Sequence, residues 1–178
     1  PLILEERVNF TRELSIIAAR DTFGQIVCYP LVENIHQSGI LRKSIFPAKV
    51  NSELQKNAEK IVISTLTKLD YVGLLAIEFF ETEAGLLVNE FAPRPHNSGH
   101  YSIDAASHSQ FEQSIRAIVG LPVLTPQIYV SGEMINLIGD EILQLEDLAK
   151  NPHIKIHNYD KNEIKALRKM GHYTFLDK

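Results

Sequence analysis

The run Asn89-Glu90-Phe91-Ala92-Pro93-Arg94-Pro95-His96-Asn97-Ser98-Gly99-His100 gathers an acid, a guanidinium, two imidazoles and carboxamides directly after an apolar segment. Such a loop can hold an anion or a metal and move a proton. Arg94 offers a planar fork matched to carboxylate, bicarbonate or phosphate. Pro93 and Pro95 restrict the backbone on either side and lower the entropy lost in presenting that fork. His96, Asn97 and His100 add donors, and an imidazole is the side chain that can move a proton near neutral pH. A zinc site on the two histidines lacks a nearby cysteine and any helical HExxH spacing.

A second carboxylate belongs with this loop. Val72 to Phe80 and Leu86 to Phe91 are apolar runs interrupted by Glu78 and Glu90, with Thr82-Glu83-Ala84-Gly85 between them as a turn. A hairpin centred on residue 84 sets Glu78 directly opposite Glu90, at a Cβ separation of about 5 Å, where like charges repel. The pair then needs a cation, a shared proton or a basic neighbour. Oxygen ligands alone favour Mg²⁺, which completes its shell with phosphate and water, so a metal here brings a nucleotide with it. The alternative is two solvent-facing carboxylates at a sheet edge, since hairpin registers slip easily. Lys161, Lys165, Arg168, Lys169 and His172 form a further basic cluster, which reads either as a solvated face or as an anion site. No GxGxxG and no Walker-type glycine loop is present, so those phosphate cradles are excluded.

The elements that position these groups read as a mixture of strands and helices. Glu13 to Arg20, a turn at Asp21 to Gly24, and Gln25 to Pro30 suggest a β-hairpin. Val32 to Ser38 reads as a polar loop and Ile40-Leu41-Arg42 as a short extended piece. Asn51-Ser52 offers a helix N-cap, and Leu54, Ala58, Ile61, Val62, Thr65, Leu66 and Leu69 follow at helical spacing, a helix expected on a sheet face. Ser107 or Ser109 caps a second helix through Phe111, Ile115 and Ile118, ending at Gly120-Leu121-Pro122. Pro122 to Pro126 reads as a linker, Met134 to Gly139 as a strand, Leu143 to Lys150 as a weak helix and His153 to Asp160 as a strand. Leu2 to Glu6 also reads as a strand. An opening at Pro1 without Met, and a close within strand-like sequence, suggest a fragment cut at both ends.

The chain has 178 residues, with 18 basic and 22 acidic side chains intermixed and a net charge of −4. That balance offers no nucleic-acid stripe and no polybasic membrane patch. No apolar run reaches the ~20 residues of a membrane-spanning helix. The single cysteine, Cys28, sits in apolar sequence and reads as core; it fits a reducing cytosol, and a soluble cytoplasmic protein is expected.

Glu78, Asn89-Glu90, the run Ala92 to His100, Ser109-Gln110-Phe111-Glu112 and Gly120-Leu121-Pro122 together resemble the carboxyaminoimidazole ribonucleotide synthetase family of ATP-grasp enzymes, the ATPase subunits of phosphoribosylaminoimidazole carboxylase. The resemblance runs over essentially the whole chain. It implies an α+β fold: the C-terminal lobe of an ATP-grasp domain over residues 1–122, an antiparallel sheet with packed helices, followed at 123–178 by part of a small β-rich C-terminal domain. It implies a ligase of purine biosynthesis that uses ATP and bicarbonate to carboxylate aminoimidazole ribonucleotide, and it suggests a homodimer.

Carried over residue by residue, the resemblance assigns an adenine-holding strand to Glu5-Glu6-Arg7-Val8, a ribose-binding acid to Glu13 and a nucleotide-site histidine to His36, with Asn89 and Glu90 in the same nucleotide site. It makes Glu78 and Glu90 the Mg²⁺ ligands. Arg94, His96 and Asn97 fall where bicarbonate or its carboxyphosphate product is held, and Lys161, Arg168 and Lys169 where the substrate phosphate is held. Two departures stand out: Ala92 occupies a position where many ATP-grasp enzymes have a metal-binding asparagine, and Lys165 and Leu167 replace an arginine and a glycine. The family's substrate domain and phosphate-covering loop have no counterpart before Pro1, so this chain alone is expected to be inactive. Rival readings are another ATP-grasp carboxylate-amine ligase, or a non-catalytic nucleotide-binding or assembly module.

Overall fold

The computed structural model describes residue 2 and residues 4–177. Strands β1 (Arg12–Arg20), β2 (Ile26–Cys28), β3 (Val32–Gln37) and β4 (Ile40–Phe46) precede helix α1 (Ser52–Lys68). Then come β5 (Gly73–Thr82), β6 (Gly85–Ala92), a 3-10 turn at Asn97–Gly99, and helices α2 (Ser102–Ala105) and α3 (Gln110–Ile118). Strand β7 (Gly132–Ile138), a 3-10 turn at Gly139–Gln144, helix α4 (Leu145–Leu148) and strands β8 (Ile154–Asn158) and β9 (Lys169–Leu176) complete the described chain. The strands form one antiparallel sheet in the order β6-β5-β1-β3-β4-β7-β9-β8, with β2 on the upper part of β1. The α+β class and the antiparallel sheet agree with the sequence reading.

Helix α1 begins where Asn51 accepts a hydrogen bond from the Leu54 N–H at 2.8 Å, closing one of the free donors of the first turn. Ala58, Val62 and Leu66 on its inner face pack on Leu14, Ile16, Leu75 and Ile77 of the sheet. The opposite face of the sheet carries Ile17, Ala19, Leu74 and Ala76 against Ala117 of α3 and Val123. Alternation along β1 and β5 therefore feeds two cores, which is why both strands are apolar almost throughout. Burial pushes the Cys28 thiol up to about 12, consistent with an unreactive core cysteine.

Several sequence expectations are corrected. Val32 to Ser38 is a strand rather than a loop: its polar residues Asn34 and His36 alternate with outward ones, and Ser38 and Gly39, both at positive φ, turn the chain into β4. That partner strand extends Ile40-Leu41-Arg42 as far as Phe46. Among the described residues Leu2 to Glu6 is not a strand; Leu2 and Leu4 are fully exposed, leaving no apolar face to drive pairing, and Ile3 lies outside the described residues. Glu5 to Val8 is likewise irregular. Pro122 to Pro126 is no loose linker, because the buried Asp21 accepts from the Val123 N–H at 3.1 Å and Gln113 accepts from the Leu124 N–H at 3.0 Å. Leu143 to Lys150 resolves into a 3-10 turn and a single helical turn.

Candidate functional site

Glu78 of β5 and Glu90 of β6 stand opposite each other. The hairpin loop has only Glu83 and Ala84 between the paired Thr82 and Gly85, and the tight register continues to Phe79 opposite Val88. Asn89 is then an extra residue on β6, and this bulge brings Glu90 into line with Glu78. Bulges re-aim side chains next to functional sites, and this one turns two carboxylates toward one point. Burial raises the Glu78 carboxyl to about 7, with the Glu90 and Glu13 charges adding to the effect and Lys169 and Asn89 opposing it.

Beyond β6, the Tyr71 hydroxyl donates to Pro93 C=O at 3.0 Å, and the Arg94 guanidinium donates to Pro95 C=O at 3.0 Å. Gln110, fully buried at the first turn of α3, then clamps the loop: its Oε1 accepts from the His96 N–H at 2.9 Å and its Nε2 donates to His96 C=O at 2.7 Å. Gly99 passes so close to Ile17 and Gln110 that a Cβ there has no room. The clamp leaves His96 Nε2 3.2 Å from Glu78 Oε1. Burial lowers the His96 imidazole to about 4, helped by Arg94 and Lys169. Asn97 exchanges two hydrogen bonds with Asn136 of β7, at 3.0 and 2.6 Å, which ties the loop to the C-terminal part of the sheet.

A cavity of about 550 Å³ collects most of the residues singled out in the sequence. Glu78, Glu90, Arg94, His96 and Asn97 contribute to the lining, as do Glu13, His36, Asn89 and Lys169, with Phe10, Leu41 and Phe80 as its apolar part. His36 Nδ1 lies 2.8 Å from Glu13 Oε2, off the direction of an aligned hydrogen bond. Glu5, Glu6, Arg7 and Val8 line an adjoining cavity of similar volume. The two share Asn89, Phe10 and Phe80, whose rings stack at 4.4 Å.

Of the C-terminal basic group only Lys169 reaches the cavity. Lys161 lies behind it, donating to Lys169 C=O and resting over the Tyr159 ring, and Arg168 is exposed nearby. Burial lowers Lys169, reinforced by Arg94 and Lys161 and opposed by Glu78. Further back, the His157 and His172 rings stack at 4.5 Å and 14°. His157 bonds Asp104 at 2.9 Å, and Tyr159 meets His172 Nδ1 at 2.9 Å. Nearly parallel rings cannot both aim in-plane lone pairs at one ion, so this cluster buttresses β8 and β9 rather than chelating.

Gln110, Asn136 and the buried serines near His96 were not singled out as functional from sequence. Gln110 was visible as part of the Ser109-Gln110-Phe111-Glu112 motif, with no role attached to it, and Asn136 as a lone carboxamide in an apolar strand. Only its position opposite Asn97 reveals its role.

The chain belongs to the ATP-grasp family, whose domain model matches residues 1–111. A second model, the phosphoribosylaminoimidazole carboxylase C-terminal domain, matches residues 133–178. The N5-carboxyaminoimidazole ribonucleotide synthase of Bacillus subtilis is 49% identical over 176 residues, covering 98% of this chain and 46% of the relative. A crystal structure of N5-carboxyaminoimidazole ribonucleotide synthetase in complex with ADP superposes with a TM-score of 0.93 at 41% identity, covering 97% of this chain and 46% of the other. The Aspergillus clavatus N5-carboxyaminoimidazole synthase, in complex with ADP and 5-aminoimidazole ribonucleotide, gives 0.88 at 31% identity, covering 94% and 47%. The chain thus spans about half the length of the curated relatives it matches. No helix among the described residues is long and apolar enough to cross a membrane.

Proposed function

We propose that this chain is part of an ATP- and bicarbonate-dependent ligase that carboxylates aminoimidazole ribonucleotide in purine biosynthesis. The observation that carries this reading is the Glu78–Glu90 pair, opposed beside Arg94, His96 and Lys169 in a cavity continuous with the Phe10–Phe80 wall. The names of the relatives supply the reaction, and the two adjoining cavities offer separate space for a nucleotide and a second anion.

The donor set fits Mg²⁺: two carboxylate oxygens face one point, and Glu78 is held high by burial and by Glu90, a penalty that a cation relieves. Glu78 and Glu90 would hold the ion, which supplies neutralisation of phosphate charge when bound. Glu5 to Val8, Glu13, His36 and Asn89 hold the nucleotide in this reading. Arg94 orients a bicarbonate oxygen toward the γ-phosphorus of ATP, so that ADP leaves and carboxyphosphate forms, and His96 and Asn97 hold that product until its carboxyl passes to the substrate amine with release of inorganic phosphate and the amine proton. Lys169, with Lys161 and Arg168 behind it, neutralises the substrate phosphate. A cytoplasmic homodimer, with the ATP-grasp lobe at 1–122 and the C-terminal unit at 123–178, completes the proposal.

Glu90→Gln in the full-length enzyme tests it. Bicarbonate-dependent ATP hydrolysis is expected to fall by roughly 100-fold, the scale of removing one preorganised charge-stabilising group. Activity within about twofold of wild type contradicts the assignment.

A further inference from the structure

We propose that Ser98, Ser15 and Asn34 are positioning residues that hold His96 in the tautomer with its proton on Nε2, so that His96 turns an N–H edge toward Glu78 and is not a metal ligand. The proposal rests on the reading of Glu78 as a functional carboxylate. An unbroken buried chain carries it. Ser44 Oγ bonds Asn34 Oδ1 at 2.9 Å, Asn34 Nδ2 donates to Ser15 Oγ at 2.9 Å, and Ser15 Oγ donates to Ser98 Oγ at 2.8 Å. Ser98 Oγ lies 2.8 Å from His96 Nδ1, and His96 Nε2 lies 3.2 Å from Glu78. Every member from Ser44 to His96 is at most 7% exposed, so bulk water cannot substitute for a missing partner.

Hydroxyls and carboxamides can be read in either direction, and turning Asn34 over reverses the whole chain. One end shows which direction is adopted. The Ser98 backbone N–H, which can only donate, points at His96 Nδ1 at 3.4 Å and caps the 3-10 turn, a long contact that reports the direction and leaves the side-chain hydrogen bonds to impose it. Nδ1 is therefore an acceptor, and in the neutral ring the proton sits on Nε2. The Ser98 hydroxyl must then donate to Nδ1 and accept from Ser15, which accepts from Asn34. At the far end an ionised Glu78 3.2 Å away favours an N–H edge over a lone pair facing it, which agrees with this polarity. Glu78, Glu90 and His96 bring one ligand atom each within 4.8 Å of one another, but an Nε2 that carries a proton has no lone pair for a metal. The two carboxylates are left as the ligands and His96 as an N–H donor at their edge.

The test is ¹⁵N NMR of the protein with labelled imidazoles, at about pH 8 and without divalent metal, assigning His96 by difference against His96→Gln. The expected spectrum has a pyridine-type Nδ1 and a pyrrole-type Nε2. The reverse pattern, or a fast tautomer mixture, overturns the proposal. In Asn34→Asp the new carboxylate accepts from both Ser15 and Ser44, so the chain polarity reverses and the His96 nitrogens are expected to exchange types. Ser98→Ala, which keeps the backbone N–H but cuts the chain, is expected to give a mixture and serves if the first variant does not fold. An unchanged tautomer in a folded variant refutes the role of the chain. The resonances require no substrate, so this failure is separable from failure of the ligase reading, which ATP hydrolysis reports.

Discussion

Replacing Gln110 with alanine isolates the clamp that builds the candidate site. The side chain is fully buried and makes three contacts: the His96 N–H at 2.9 Å, His96 C=O at 2.7 Å and His100 Nδ1 at 2.9 Å. Each net hydrogen bond contributes about 1 kcal/mol, and the buried His96 amide left without partners adds about 1–3 kcal/mol. The expected loss is therefore about 4 kcal/mol, a large share of the ~5–15 kcal/mol that holds a typical domain together. Urea unfolding monitored by circular dichroism reads this directly. With a slope of about 2–3 kcal/mol per molar, the midpoint drops by roughly 1.3–2 M without a change in slope. Gln110→Glu separates hydrogen bonding from packing, because it keeps the volume and the acceptor for the His96 N–H but sets a second oxygen against His96 C=O. Its cost is expected to approach that of alanine. A loss below about 1 kcal/mol in both variants refutes the clamp.

Other consequences follow from the same geometry. A Cβ at Gly99 collides with Ile17 Cδ1 and stands 2.7 Å from Gln110 Oε1, so Gly99→Ala is expected to cost about 1–3 kcal/mol in thermal or urea unfolding; a neutral substitution contradicts the packing. Glu78→Gln removes a carboxylate held up by burial and by Glu90, and in metal-free protein at about pH 8 it is expected to stabilise the fold by about 2 kcal/mol, allowing for partial solvent screening. Destabilisation by calorimetry contradicts that account. Burial lowers His100 to about 4 and His172 to about 3, below the ~6.5 of an unfolded imidazole. Their contribution is complete above pH ~6.5 and is lost as pH falls toward the folded values, about 2 kcal/mol each by pH 5. His96 and Glu78, in contact, shift in opposite directions and largely offset over this window. Unfolding free energy at pH 5 should thus lie about 4 kcal/mol below that at pH 7, and equal stability refutes the burial argument.

The opposition of Glu78 and Glu90 was legible in the sequence for an incomplete reason. Centring the hairpin on residue 84 assumes a longer loop; the structure instead has a two-residue loop and a bulge at Asn89, and the two differences cancel at Glu78. Helix α1 was legible because its cap, spacing and burial all agree. Strand β3 was not, because inward Asn34 serves buried hydrogen bonds and His36 faces Glu13, and both look like loop sequence. Helix α3 shows the same effect. Gln110, Gln113, Ser114 and Ala117 are buried, whereas Phe111, Ile115 and Ile118 are exposed, because the glutamines satisfy the backbone of the His96 and Leu124 loops. Composition and period register apolar faces, and neither registers a polar face that a neighbouring loop requires. The candidate residues of the loop were legible through the Ala92 to His100 run, whereas partners that orient it lie 14 to 83 positions away in the chain and appear only once the sheet is assembled.

The fate of the bicarbonate carbon distinguishes this ligase from any other use of the same site. The full-length enzyme, supplied with ATP, ¹³C-bicarbonate and aminoimidazole ribonucleotide, should place the label on the exocyclic amine of the ribonucleotide, with one ADP formed per carbon transferred. ATP turnover without labelled product, or transfer to a different acceptor, contradicts the account.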